Sequence, residues 1–368
     1  MQIRDLIAAM ESVAPTADAE PWDNVGLILG DPAGALARVM LCIDLTQDVV
    51  CEAVEKGCEA VIAYHPPLFK DVRKLVADDG ATTGGAVYAA VRAGLSVYTP
   101  HTALDVADGG TNDVLADVLG LSSCEPLKLA AGGDDLKLVT FVPADALEQV
   151  ANALFSAGAG RIGDYRECSF RLSGTGTFYG EEGTNPAVGS KGRREEVQEV
   201  RLETVVPAGR AGEVVAALKS AHPYEEPAFD LLRRAAAPRA VGLGRIGDFD
   251  APVAREELIE RIKRGLGLGH VLVAGPRDGS VSRAAGCAGS CGDLLDLAAK
   301  RGAGLYLTGE LKHHDALRAA RLGMTAVCVL HSNSERATLA RLRQRLMPML
   351  EGVDLALSEA DHDPFEIE

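Results

Sequence analysis

The chain has 368 residues, 47% hydrophobic and 24% charged, with a formal net charge of −16. That balance is ordinary for a globular protein, with length for two or three domains at about 150 residues each. The acidic excess argues against non-specific nucleic-acid binding, whose affinity comes from Lys and Arg on phosphate, and no apolar run reaches the roughly 20 residues of a membrane span.

The first segment places Ile3, Leu6, Ile7, Met10 and Val13 at helical spacing and lacks the basic start and long apolar stretch of a signal peptide. From Arg38 onward short apolar runs alternate with amphipathic segments. They predict strand 39–44 (VMLCID), helix 46–57 closed by a C-cap glycine, strand 60–65 (AVIAYH), a helix around 84–93, strand 95–101 and helix 111–120. Between roughly 133 and 236 the texture changes to strand, helix, the Gly-rich ECSFRLSGTGTFYG, a loop 180–196, then EVRLETVVP, GEVVAALKSA and YEEPAFDLLRR. That β-α-β-β-α-β order is the ferredoxin-like pattern. The first rhythm then resumes with strand 270–275, helix 292–302, strand 304–310, helix 313–323, strand 325–331, a long helix from Ser334 to about Leu350, and a last strand in VDLALSE. Continuous apolar strands between helices predict a parallel sheet covered on both faces. The expected architecture is a discontinuous three-layer α/β metal-binding domain, residues 1–130 and 237–368, with a ferredoxin-like α+β domain inserted over 131–236.

Eight cysteines, at 42, 51, 58, 124, 168, 287, 291 and 328, form no CxxC pair, which predicts a reduced, cytoplasmic protein. Cys287 and Cys291, the closest pair, have no partners at metal-ligand spacing and read as packing residues.

Ligands of open α/β sheets gather at the carboxyl ends of the strands. Here those ends carry Asp44, Tyr64-His65, His101 with Asp105, Thr308-Gly309-Glu310, and His331 with Glu335. Imidazole with carboxylate suits Zn²⁺, Mn²⁺, Fe²⁺ or Ni²⁺, whereas Ca²⁺ and Mg²⁺ prefer oxygen alone. A bridging carboxylate such as Glu335 or Asp105 would hold two ions about 3.5–4 Å apart, an arrangement that activates water. Prolines after His65 and before His101 restrict the backbone there. Structural alternatives stand beside each residue. Ser332-x-x-Glu335 is a capping box for the last helix, Asp105 suits a turn, His313-His314 suit a cap, and WDNVGL and TGE suit turns that seat strands.

Five segments in order, WDNVGL (22–27), YHPPLF (64–69), PHTALD (100–105), TGELKHHDAL (308–317) and HSNSE (331–335), resemble the dinuclear metal centre proteins, also named GTP cyclohydrolase 1 type 2 homologues or Nif-three-like proteins. GTGTFYGEEGTNPAVGSKG and HPYEEPAFDL are similar to the PII/CutA-like insert of the longer bacterial members. The resemblance implies two metals held by a His-His pair, an aspartate, and a C-terminal histidine and glutamate. Carried over by motif, His65, Asp105, His331 and Glu335 match, but Tyr64 stands where the pair has its first histidine. A phenol, with an ordinary pKa near 10, is a poorer ligand. One or two divalent metals per protomer are therefore expected (Zn, Mn, Fe or Ni), with His101 as a substitute or supporting ligand. The resemblance also implies a ring-shaped homohexamer with the metal sites facing an inner cavity.

The expected function is that of a metal-dependent hydrolase using metal-activated water on a small-molecule substrate, a nucleotide or related phosphorylated metabolite. Glu310 or His314 would shuttle protons and Asn24 would be a polar group near the site. The alternative is a regulatory ligand- or metal-binding module without turnover, with His222, Glu225 and Glu226 as its residues. No GxxxxGK[ST] or other guanine pocket is recognisable, and metal storage has no Cys- or His-rich tract in its favour.

Overall fold

A computed structural model describes residues 1–367 apart from 71, 73, 78–81, 130–135, 163–164 and 235–240. The chain divides into two compact units, Met1–Ala130 with Arg239–Glu368, and Ala131–Pro238. The borders expected at 130/131 and 236/237 lie outside the described residues. Among those described are eleven α-helices, none long and apolar enough to cross a membrane.

The larger unit begins with α1 (Ile3–Val13), β1 (Gly26–Leu29), β2 (Arg38–Cys42), α2 (Gln47–Glu55), β3 (Ala60–Ala63), α3 (Thr83–Ala93), β4 (Ser96–Thr99), α4 (His101–Val106), α5 (Thr111–Leu119) and β5 (Ser122–Leu129). The smaller unit follows as β6 (Leu136–Pro143), α6 (Leu147–Ser156), β7 (Ser169–Tyr179), β8 (Arg194–Val206), α7 (Ala211–Ala221) and β9 (Phe229–Arg233). The chain then returns through β10 (Gly242–Ala254), α8 (Arg255–Leu266), β11 (Leu272–Ala274), β12 (Ser280–Cys287), α9 (Leu295–Lys300), β13 (Leu305–Thr308), α10 (His313–Arg321), β14 (Thr325–Cys328), α11 (His331–Leu346) and β15 (Asp354–Leu357).

Two mixed sheets replace the single parallel sheet expected from the sequence. One has the order β1-β4-β3-β2-β15, parallel except for β1 at its edge. Every residue of β3 and β4 is buried, because both faces are covered, and the strands therefore read as unbroken apolar runs. Val61 and Val97 pack with Val49 of α2 and Val87 of α3, while Leu41 and Ile62 pack with Leu6 and Met10 of α1 and with Leu339 and Leu342 of α11. The second sheet has the order β11-β14-β13-β12-β10-β5, parallel only across β12, β13 and β14.

Two local readings change. The last helix starts at His331, not Ser334, and no side chain caps it. The S-x-x-E segment therefore lies inside the helix, where the Ser334 hydroxyl donates to the His331 carbonyl and accepts from the Gly289 amide. Asp105 belongs to helix α4 rather than to a turn.

The smaller unit is a four-stranded antiparallel sheet of order β7-β8-β6-β9. Val150 and Leu154 of α6 and Val214 and Leu218 of α7 cover one face, against Leu138, Val142, Leu202 and Val206.

Candidate metal centre

The parallel pairing of β3 with β2 continues past the strand, with the Tyr64 amide on the Cys42 carbonyl and the His65 amide on the Ile43 carbonyl. His65 is thereby fixed at the carboxyl end of the first sheet. His101 opens α4 at φ +27°, and His331 opens α11 directly after Leu330 at φ +70°. Non-glycine residues in this region of backbone space are costly and cluster at functional sites. Glu335 lies four residues beyond His331, one helical turn along the same face.

These elements bring together His65, His331 and Glu335, whose ligand atoms lie within 4.8 Å of one another. His65 Nε2 stands 3.2 Å from Glu335 Oε2, and His331 Nε2 3.3 Å from Oε1. Both Nδ1 atoms are occupied: His65 donates to Asp44 Oδ1 at 2.9 Å, and His331 to Glu310 Oε1 at 2.8 Å. A carboxylate on the outer nitrogen is the usual support of a metal-ligating histidine, because it fixes the ring and the tautomer. Glu335 is 2% exposed, and its Oε2 is buried without an aligned hydrogen bond. A buried charged oxygen so placed suits a cation between it and the two imidazoles.

Electrostatics follow from this packing. Burial alone would raise the Glu335 carboxyl, but His331 and His65 outweigh it and hold it below its ordinary value. Burial lowers His65, yet Asp44 and Glu335 carry it up to about 10. Glu335 is the main reason His331 rises to about 9. The buried carboxylate thus favours positive charge on the two rings beside it.

Two glycines make the approach possible. Gly289, at φ +70°, would put a Cβ 3.1 Å from Glu335 Oε1 and 3.4 Å from His331 Nε2. A Cβ on Gly309 would meet the Gly289 carbonyl at 2.6 Å. That carbonyl accepts from the Glu310 amide and the Thr308 hydroxyl, tying the loop after β12 to the loop after β13.

Asp105 and Tyr64 lie behind the cluster, both buried. The Tyr64 hydroxyl donates to Asp105 Oδ1 and lies 3.1 Å from the Thr111 hydroxyl. Burial and then the Glu335 charge push the Asp105 carboxyl up to about 6, and burial with Asp105 pushes the Tyr64 phenol well above its ordinary value. Tyr64 thus keeps its proton and holds Asp105. His101 packs edge-on to both His65 and Tyr64, and its Nδ1 donates to Asp23 at 2.8 Å. At the rim Trp22 and Phe69, 58% and 49% exposed, stand 5.8 Å apart.

The remaining expected residues fall elsewhere. Glu310 is bound to His331, and the Asn24 amide donates to the Leu68 carbonyl, tying the Trp22 loop to the Phe69 loop. His314 lies at the exposed start of α10, edge-on to His313, outside the group around Glu335. Cys287 and Cys291 are buried. Sequence reasoning missed Asp23, Gly289, Ser334 and Asn112. Asn112 donates to the Asp105 carbonyl and accepts from the Ala288 amide, joining α5 to the loop after β12.

The profile of Duf34/NIF3 (NGG1p interacting factor 3) matches residues 1–364. The chain belongs to the NIF3 family. Proteins named GTP cyclohydrolase 1 type 2 homolog are similar throughout: that of Bacillus subtilis is 35% identical over 98% of this chain and 97% of its own length. The one from Mycobacterium tuberculosis is 38% identical over 91% of this chain and 88% of its own. Among solved structures, a Bacillus cereus protein related to NIF3 is 32% identical with a TM-score of 0.69, covering 100% of this chain and 99% of its own. A Staphylococcus aureus protein, 29% identical over the same shares, gives 0.74. The resemblance carried by the five sequence segments is borne out.

Proposed function

We propose that this NIF3-family chain holds a first-row divalent metal between His65, His331 and Glu335, and that it is a metal-dependent hydrolase. The observation that carries this is the orientation of the two imidazoles, each with Nδ1 on a carboxylate and Nε2 turned to Glu335. The mixed nitrogen and oxygen donors suit Zn, Mn, Fe or Ni. When bound, such a metal supplies Lewis acidity that brings water toward deprotonation near neutral pH. The chain's own residues do the rest. Asp44 and Glu310 lock the two rings, so we assign Glu310 to positioning rather than proton shuttling. Asp105 and His101 would hold a second, weaker ion, because Tyr64 retains its proton and donates to Asp105 instead of ligating.

The substrate class is a nucleotide or related phosphorylated metabolite. Its support is the name borne by the relatives, together with Trp22 and Phe69, whose exposed rings offer a flat apolar surface to a base. Family membership alone supports the ring-shaped homohexamer, and eight free cysteines support a reducing, cytoplasmic setting. Strand order β7-β8-β6-β9 with two helices on one face supports the ferredoxin-like assignment of residues 131–236 as an inserted domain.

Metal-loaded protein incubated with nucleoside mono- and triphosphates should release product, and Glu335→Gln should not. Loaded protein that leaves every nucleotide intact would remove the hydrolase while leaving the metal site standing.

A further inference from the structure

The smaller unit carries a concavity of its own. Successive side chains of a strand point to opposite faces. The register pairs Thr140 with Leu202 and Leu202 with Arg171, so Leu138, Val142, Leu202 and Val206 face the helices. Phe141, Leu172, Phe178, Glu199 and Arg201 therefore line the other face. On that face β7 places Gly174 and Gly176, which project no side chain, and the sheet is hollowed there. The result is a half-open cavity of about 550 Å³, bordered by residues from 184–188 and 224–228. Sites for small ligands span about 300–1,000 Å³.

Both sequence motifs left without a role at the metal centre build this cavity. GTGTF gives the floor, where a Cβ on Gly176 would overlap the Glu199 carboxylate. In HPYEEP, His222 is engaged within the unit: its Nε2 donates to the Phe141 carbonyl at 3.0 Å and its Nδ1 accepts from the Tyr224 amide at 3.1 Å. His222 thereby sets the turn that presents Tyr224, Glu225 and Glu226 to the cavity. The Tyr224 hydroxyl donates to Glu199 Oε1 at 2.8 Å, and the Asn185 amide to Glu225 Oε1 at 3.0 Å, fastening the bordering segments to the sheet and to each other.

The charge of the lining is one-sided. Among the described lining residues three carboxylates, Glu199, Glu225 and Glu226, stand against one guanidinium, that of Arg201. Arg201 is itself bound to Glu203, which is outside the lining, at 2.8 Å, and lies over the Phe141 ring. We propose that this cavity binds a small organic cation, an amine or guanidine carried on an apolar or aromatic body. The body packs on Phe141, Leu172 and Phe178, and the charged head meets Glu199, whose Oε1 is already oriented by Tyr224. The site shares no residue with the metal centre and does not depend on the hydrolase assignment.

Calorimetric titration of the full-length, metal-loaded protein with tryptamine tests this, with 3-indolepropionate as the anion on the same ring. Tryptamine should saturate one site per chain, and the anion should not bind. Glu199→Gln, which keeps an acceptor for Tyr224, should weaken tryptamine about ten-fold or more. Gly174→Leu grows into space with no atom within 4 Å of its Cβ and should abolish binding. Metal content should be unchanged in both variants. No saturation up to about 10 mM tryptamine, equal binding of the anion, or wild-type affinity in Glu199→Gln would each overturn the assignment. Were Gly174→Leu to fail to fold, Glu199→Gln and the anion decide alone.

Discussion

Glu335 stays ionised inside the protein because two imidazoles face its two oxygens at 3.2 and 3.3 Å, and those imidazoles face it because Asp44 and Glu310 hold their outer nitrogens. Asp44→Asn should therefore weaken metal binding about 10–100-fold without unfolding the protein. Competition with a chromophoric chelator measures this, and unchanged affinity would remove Asp44 from the site. Gly289→Ala meets both φ +70° and Glu335 Oε1 at 3.1 Å. It should cost about 1–3 kcal/mol by thermal melt and lower metal affinity. Gly323→Ala, at φ +69° with nothing within 4 Å, should show only the smaller backbone cost and keep the metal. His65, His331, Glu335 and Asp44 were legible because the ends of buried apolar strands can be placed from local pattern, and all four lie at or just after such an end. Asp23 and Asn112 were not, since each acts on a partner 78 or 176 residues away, which only topology brings near.

At the scale of elements, α2 fastens the C-terminal segment through one carboxylate. Glu52 accepts from the Ser358 hydroxyl and from the Glu359 and Ala360 amides, and pairs with Lys56. Burial alone would raise its carboxyl, but Lys56, Ser358 and the two amides outweigh it and bring it from 4.5 to about 2. The folded value is depressed, so this stabilisation is full above pH 4.5 and is lost as pH falls toward 2. Glu52→Gln should lower stability by roughly 1–2 kcal/mol at neutral pH and converge with wild type in acid; parallel denaturation curves across that range would contradict it. The buried strands β2, β3, β4, β13 and β14 were readable as apolar runs. Strand β10 of the second sheet was not, because it pairs antiparallel on both sides with its register shifted, so neither unbroken runs nor clean alternation mark it. The start of α11 was misplaced because a local capping pattern was overridden by contacts from Gly289 to Ser334.

At the scale of the whole chain, the fold was legible as alternating strand and helix interrupted by β-α-β-β-α-β, whereas the split into two mixed sheets depends on pairings the sequence does not display. With a net charge of −16 the protein should show no retention on duplex DNA at physiological salt, and salt-sensitive binding would contradict this. A metal that binds only the folded chain should stabilise it, by about 2.7 kcal/mol at a hundred-fold excess over Kd. That gain should appear as a rise in Tm with Zn²⁺ or Mn²⁺ and vanish in His331→Ala. Elemental analysis of wild type beside His331→Ala, at known protomer concentration, tests the metal centre itself. About one tightly held metal per protomer, approaching two in excess metal and lost in the variant, is the predicted result. No metal after incubation with Zn²⁺, Mn²⁺ or Fe²⁺, or equal content in His331→Ala, would contradict it.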